Sequence, residues 1–247
     1  MIEILLIVGV VIAGGSLPLV VRWTDRFLHA ALAAATGVFL GAVFLHLLPS
    51  LSRYAPAGSG EAPGGYGDTA VWLCVLAGVL AVYFIETVLF RASGPGGVDR
   101  HLGVGYAALA GLSIHSVANG VGYAAAADRP ELAGPLLVAI VAHKGFESFS
   151  LASVFRLAGF TARRVFATVV AFSLATPAGI LLGNALATLL GDGGLAIVTA
   201  LAAGTFLYVC LCELLPEVFH HREDGVRKIL LLLAGIGAML VVHVLGA

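Results

Sequence analysis

The chain has 247 residues, of which 60% are hydrophobic and only 11% charged, with a formal net charge of -1. An ordinary soluble domain carries about 25% charged residues, so this ionic surface is too sparse for a protein that sits alone in water. No basic stripe with interleaved aromatics points to nucleic acid. The three cysteines, Cys74, Cys210 and Cys212, fall inside apolar runs with neither disulfide-framework nor CxxC spacing.

The apolar runs are each about 20 residues or longer, the length a helix needs to cross a hydrocarbon core of about 30 Å. They predict an all-α, polytopic membrane bundle of eight transmembrane helices, over 2–21, 28–51, 70–90, 102–127, 133–155, 165–190, 194–217 and 228–246. The first run follows Met1-Ile2-Glu3 without a basic n-region or a clear small-residue cleavage site, so it is expected to be retained. The longest link, 52–69, is rich in Gly, Pro and Ser and reads as a flexible external loop. The short connections leave no room for a separate soluble domain, and 1–247 is expected to be one transmembrane domain.

Orientation follows from the cations. With the N-terminus outside, the cytoplasmic connections hold Arg22, Arg26, Arg91, Arg100, Arg156, Arg163, Arg164, Arg222, Arg227 and Lys228, and the external ones only Arg53 and Arg129. This excess places both termini outside the cell membrane by the positive-inside rule.

Two segments repeat each other. Segment 2 contains Gly37-Val-Phe39-Leu40 followed by His46-Leu47-Leu48-Pro49, and segment 7 contains Gly204-Thr-Phe206-Leu207 followed by Glu213-Leu214-Leu215-Pro216. Segment 2 runs outward and segment 7 inward, so the copies are inverted. Such repeats characterise secondary transporters, whose substrate site lies near the midplane between them.

Ionisable groups in hydrocarbon cost roughly 2.5–3.5 kcal/mol each on the insertion scale, so each needs a reason. Segment 4 reads Ile114-His115-Ser116-Val117-Ala118-Asn119-Gly120, and segment 5 reads Ala142-His143-Lys144-Gly145-Phe146-Glu147-Ser148. In both, an oxygen-bearing side chain follows a histidine by four residues, a rotation of about 40° and a rise of about 6 Å, so the two share a helical face. The short link 128–132 makes these helices antiparallel neighbours. Two imidazoles, a carboxylate and an amide oxygen make a four-ligand cage suited to zinc and its first-row neighbours rather than calcium or magnesium. The competing reading is structural: interhelical hydrogen bonds from the histidines and a Glu147–Lys144 pair.

The HSxxxG and HKGxExxSL blocks resemble the fourth and fifth helices of the ZIP (Zrt/Irt-like protein) metal transporters. GVFLGAVFLHLLP and GTFLYVCLCELLPE resemble that family's second and seventh helices, and Ser173-Leu174-Ala175-Thr176-Pro177-Ala178-Gly179 its sixth. The resemblance covers nearly the whole chain. It implies a 3+2+3 arrangement, homodimerisation, metal uptake toward the cytoplasm, and metal ligands at His115, His143 and Glu147. The family usually has an acid where Asn119 stands, so this site lacks one negative charge. Some members hold a second metal through the positions of Ser116, Lys144 and Thr176; here Lys144 brings an ammonium to that place, and the expectation is one central ion.

Further polar residues mark a route or merely a helix end. His46 is either a first contact for incoming metal or an interfacial histidine. Glu213, Glu217 and His220 or His221 form a stripe toward the cytoplasmic rim, read as a way out or as a solvated helix end. Glu86 and His243 read as snorkelling or paired groups.

The main expectation is a secondary transporter of divalent transition metal, zinc foremost, moving it toward the cytoplasm through the site on helices 4 and 5. The metal is substrate; no organic cofactor is expected, and no P-loop GxxxxGK[ST] is present. The alternatives are a non-transporting membrane metal sensor and an intramembrane metal-dependent hydrolase. No HExxH supplies the latter, and the chain is expected not to be an enzyme.

Overall fold

The computed structural model describes residues 1–21, 23–51, 66–90, 100–127, 130–220 and 224–246. Arg22, Arg53, Arg91, Arg129, His221 and Arg222, and most of the 52–69 link, lie outside them. Among the described residues the fold is all helical, with no strand. The helices are α1 (Ile2–Val20), α2 (Asp25–Ala42), α3 (Tyr66–Ile85), α4 (Arg100–Ala126), α5 (Pro130–Leu157), α6 (Ala162–Ser173), α7 (Ala175–Tyr208) and α8 (Gly225–Gly246). Beyond its last α-helical residue, α2 continues through a π-helical turn, Val43–Leu47, and a further turn, Leu48–Leu51. Likewise α3 runs on through Glu86–Phe90, and α7 through Val209–Leu214 and Leu215–Phe219.

Local chemistry sets several of these ends. Thr24 and Thr161 cap α2 and α6, each hydroxyl accepting from a backbone N–H three residues on. Gly159, at φ 79°, closes α5: its N–H donates to the Arg156 carbonyl while Phe160 donates to Phe155, the paired bonds of a Schellman turn. The break at Leu174 has its cause in Pro177, which has no N–H for the Ser173 carbonyl and crowds it.

Among the described residues, seven stretches are long and apolar enough to cross a membrane: Ile2–Val20, Asp25–Leu47, Thr69–Val88, Leu136–Leu157, Ala162–Gly183, Ala196–Phe219 and Gly225–Leu245. They match seven of the eight expected segments. The eighth, at 102–127, is α4; its 27 residues suffice in length, but His101, Ser113, His115, Ser116 and Asn119 interrupt its apolar run. Although α7 is helical throughout, it cannot be one straight rod. Gly179 packs on Val117 and Gly120 of α4, whereas Thr205 donates to the Gly111 carbonyl. Gly111 and Gly120 are about 14 Å apart along α4, while Gly179 and Thr205 would be about 39 Å apart on a straight helix. The chain therefore doubles back inside α7, and its second limb with the following turns forms the span Ala196–Phe219.

The two repeated segments behave alike. Shifted by the sequence register, the π turn Val43–Leu47 falls on Cys210–Leu214 of the other π turn. Pro49 and Pro216 withhold a hydrogen bond from the carbonyls of Leu45 and Cys212, inside those turns, and the backbone widens there. The corresponding glycines also serve alike: Gly37 abuts α8 near Gly235, and Gly204 abuts α3 near Gly78. A Cβ on Gly204 would stand 2.0 Å from the Val75 carbonyl oxygen, so only glycine permits this approach. Outward faces of α1, α3 and α8 carry exposed Leu, Val and Ile, such as Leu5, Leu76 and Leu230, as a lipid-facing surface does. The core includes Phe39, Leu112, Leu151, Phe155, Phe206 and Val209 from α2, α4, α5 and the second limb of α7 with its π turn, and is closed by Val11 of α1, Val169 and Phe172 of α6 and Met239 of α8.

Candidate metal centre

The interior helices bring polar side chains into this apolar core at one level. On α4 and α5 the four-residue spacing puts His115 and Asn119, and His143 and Glu147, on facing surfaces as expected. The histidine rings lie 5.9 Å apart between centroids. Glu147 Oε1 is 3.6 Å from His115 Nε2 and 3.4 Å from His143 Nε2. It has no hydrogen-bond partner among the described residues. His115, His143 and Glu147 are all buried, and their three ligand atoms lie within 4.8 Å of one another, as a single ion requires.

The fourth expected ligand, Asn119, stands at the same place but presents its nitrogen. Its Nδ2 is 2.9 Å from His115 Nε2 and 3.5 Å from His143 Nε2. A half-turn of the amide would exchange oxygen for nitrogen there; the two ends of an amide are distinguished only by such hydrogen bonds.

The other carboxylate oxygen is committed. Lys144, fully buried, donates to Glu147 Oε2 at 2.6 Å and to Ser116 Oγ at 2.5 Å. Ser116 donates in turn to the Leu112 carbonyl, which leaves its lone pairs toward the ammonium. The Phe172 ring faces Lys144 Nζ at 5.2 Å, adding a cation–π contact. A buried carboxylate and ammonium need such mutual partners to offset lost hydration. The Lys144 pair thus takes one oxygen of Glu147, and the other is left facing the two histidines. Thr176 is buried where α7 packs on Gly120 of α4, its Oγ1 without a partner among the described residues. Phe206, in the repeat of α7, stacks on the His115 ring at 4.0 Å and fixes its plane.

The remaining polar residues divide. His46 is half-buried and meets His243 edge-on, with ring centroids 5.0 Å apart. Glu86 accepts from the Tyr208 hydroxyl, so it is paired rather than snorkelling. Glu213 and Glu217 are buried, while His220 is exposed. Sequence reasoning passed over His29 and His101, both of which meet Glu217. They lie near the starts of their helices, where a histidine reads as interfacial, and only tertiary packing brings them to Glu217. At the same end of the molecule, Arg26 forms a two-pronged pair with Asp224.

Comparison with known proteins bears on this geometry. The chain is 35% identical over 131 residues to Zinc transporter ZIP1 of Homo sapiens, a match covering 52% of this chain and 40% of the relative. It is 31% identical over 152 residues to Zinc transporter 8 of Oryza sativa, covering 57% and 39%. It is 27% identical over 223 residues to Fe(2+) transport protein 1 of Arabidopsis thaliana, covering 75% and 64%. The chain thus spans less than two thirds of the length of each relative. The sequence pattern of the ZIP Zinc transporter family matches residues 93–243, which include α4, α5 and α7 with Gly204, and on that match the chain belongs to the ZIP zinc transporter family.

Proposed function

We propose that this protein is a secondary transporter that carries divalent transition metal ions, zinc foremost, across the cell membrane toward the cytoplasm. The ion is held near the midplane by His115, His143 and Glu147, with the Asn119 amide turned to offer its oxygen. The observation that carries this reading is Glu147 Oε1, buried without a hydrogen-bond partner among the described residues and facing two imidazole nitrogens at 3.4 and 3.6 Å. Two imidazoles and one carboxylate suit zinc and its neighbours, and iron is a second candidate from the same donor set. The names of the relatives, two zinc transporters and an iron transport protein, are consistent with that range.

The central site holds one ion. The Lys144 ammonium, bonded to Ser116 and Glu147, takes the place of a second cation. The helices form eight spans in a 3+2+3 arrangement, with α4 as the polar inner span and both termini outside, and the protein works as a homodimer within one transmembrane domain. The paired π turns and glycine contacts support inverted halves that rock about the central site. His46 receives the ion, and Glu213 and Glu217 line its way out. Transport, rather than hydrolysis or sensing, accounts for a site set between repeats.

Zinc flux into proteoliposomes tests this, with native protein against His143→Ala. Native flux that falls to background in the variant is expected. Flux absent from the native protein, or unchanged by the substitution, rejects the proposal.

A further inference from the structure

At one end of the bundle, α2, α4 and the turn beyond α7 bring a second set of metal-ligating groups together. His29 stands one turn into α2, His101 at the start of α4, and Glu217 just beyond the π turn that follows α7. Glu217 is fully buried, and its Oε1 lies 2.6 Å from His101 Nδ1 and 3.6 Å from His29 Nε2. The His29 and His101 rings are 6.3 Å apart, against 5.9 Å for the central pair.

The orientation of His29 adds an independent observation. Its Nδ1 is 2.7 Å from the Asp25 carbonyl oxygen, which can only accept, so Nδ1 carries the proton of this bond. In the neutral ring, Nε2 then presents a lone pair to a carboxylate oxygen that also presents lone pairs. Such an arrangement calls for a cation between them, a proton or a metal. A histidine tied through one nitrogen to a backbone carbonyl, with the other turned to a carboxylate, has the orientation of a metal ligand.

We propose that His29, His101 and Glu217 form a second binding site for a divalent transition metal, about 21 Å along α4 from the central one. The donor set is again two imidazoles and a carboxylate. Imidazole-rich composition selects zinc-like ions over calcium or magnesium. The 2.6 Å between His101 Nδ1 and Glu217 Oε1 is too short for an ion to bind both atoms, so the His101 ring draws back as the ion arrives, to a metal–nitrogen distance of about 2.0–2.1 Å. His101 is 21% exposed whereas His29 and Glu217 are sealed, so this ring connects the site to the outside of the bundle. The site is a staging post at the mouth of the route, and its role rests on the reading that metal passes through the His115–His143–Glu147 centre.

The test uses full-length protein in detergent, equilibrated with zinc and counted by elemental analysis, in the native form, His143→Ala, Glu217→Gln and the double variant. One ion lost in each single variant and both in the double is expected. His101→Ala, which alters a partly exposed side chain, serves as a second probe should Glu217→Gln fail to fold. Cobalt(II) in the His143→Ala background should give a visible spectrum of nitrogen and oxygen coordination that His101→Ala removes. A native protein whose only zinc is abolished by His143→Ala overturns the second site, leaving a proton-held latch there, and spares the central one. A native protein whose only zinc is abolished by Glu217→Gln and kept by His143→Ala does the reverse.

Discussion

The two clusters strung along α4 share their residue types and differ in what holds the carboxylate. At the centre, Lys144 takes one oxygen of Glu147, and the other faces two imidazoles at 3.4 and 3.6 Å. Near the end of the helix, a single oxygen of Glu217 faces both imidazoles, one of them already at 2.6 Å. In the first case an internal cation fixes the carboxylate and leaves a gap of the right width for an ion. In the second the ligands fix one another, and the gap must be opened.

Glu147→Ala breaks the central arrangement most severely. It leaves the Lys144 ammonium buried without its carboxylate, a loss of about 3–5 kcal/mol, and it removes the anionic ligand. A large fall in the thermal midpoint together with loss of zinc binding is expected; an unchanged melting profile would contradict the paired geometry. Gly204→Val tests the frame that presents both clusters. Its new side chain meets the Val75 backbone, and a destabilisation of about 1–3 kcal/mol is expected on thermal unfolding in detergent. Gly122→Ala, which meets nothing within 4 Å, is the control and should change little.

Asn119→Asp sharpens the contrast by giving the centre a second carboxylate. Zinc affinity there should rise about tenfold, or 1.4 kcal/mol, measured by competition with a chelating dye. No gain would mean that this side chain does not reach the ion. The smallest effect is expected at the exposed rim. The Arg26 guanidinium bonded to Asp224 holds that carboxyl below the usual carboxylate range. The pair stabilises the fold above the unfolded-state pKa of aspartate, and the contribution is lost as pH falls through the lowered folded value. Asp224→Asn should flatten only that acid limb of the stability profile while leaving metal binding unaltered.

The sequence makes the central site legible because helical periodicity is local. His115 with Asn119 and His143 with Glu147 each lie on one helix, and a short link puts those helices side by side. The repeat was legible too, since Gly37 and Gly204, and Pro49 and Pro216, mark identical places in two apolar runs. The π turns they produce were not, because the widening depends on how the freed carbonyls settle in the packed bundle. Nor was the placement of Phe206 against His115, or of His29 and His101 around Glu217. Those contacts join residues far apart in the chain, and spacing along a helix carries no information about which distant helix it will face.

The most direct test of the central claim is X-ray absorption at the zinc edge of the full-length protein carrying Glu217→Gln, which limits zinc to the central site. A nearest shell of nitrogen and oxygen at about 2.0–2.2 Å is expected, with outer scattering from two imidazoles that is reduced to one or lost when His143→Ala is added. A shell that His143→Ala leaves unaltered, or one containing sulfur at about 2.3 Å, would contradict it.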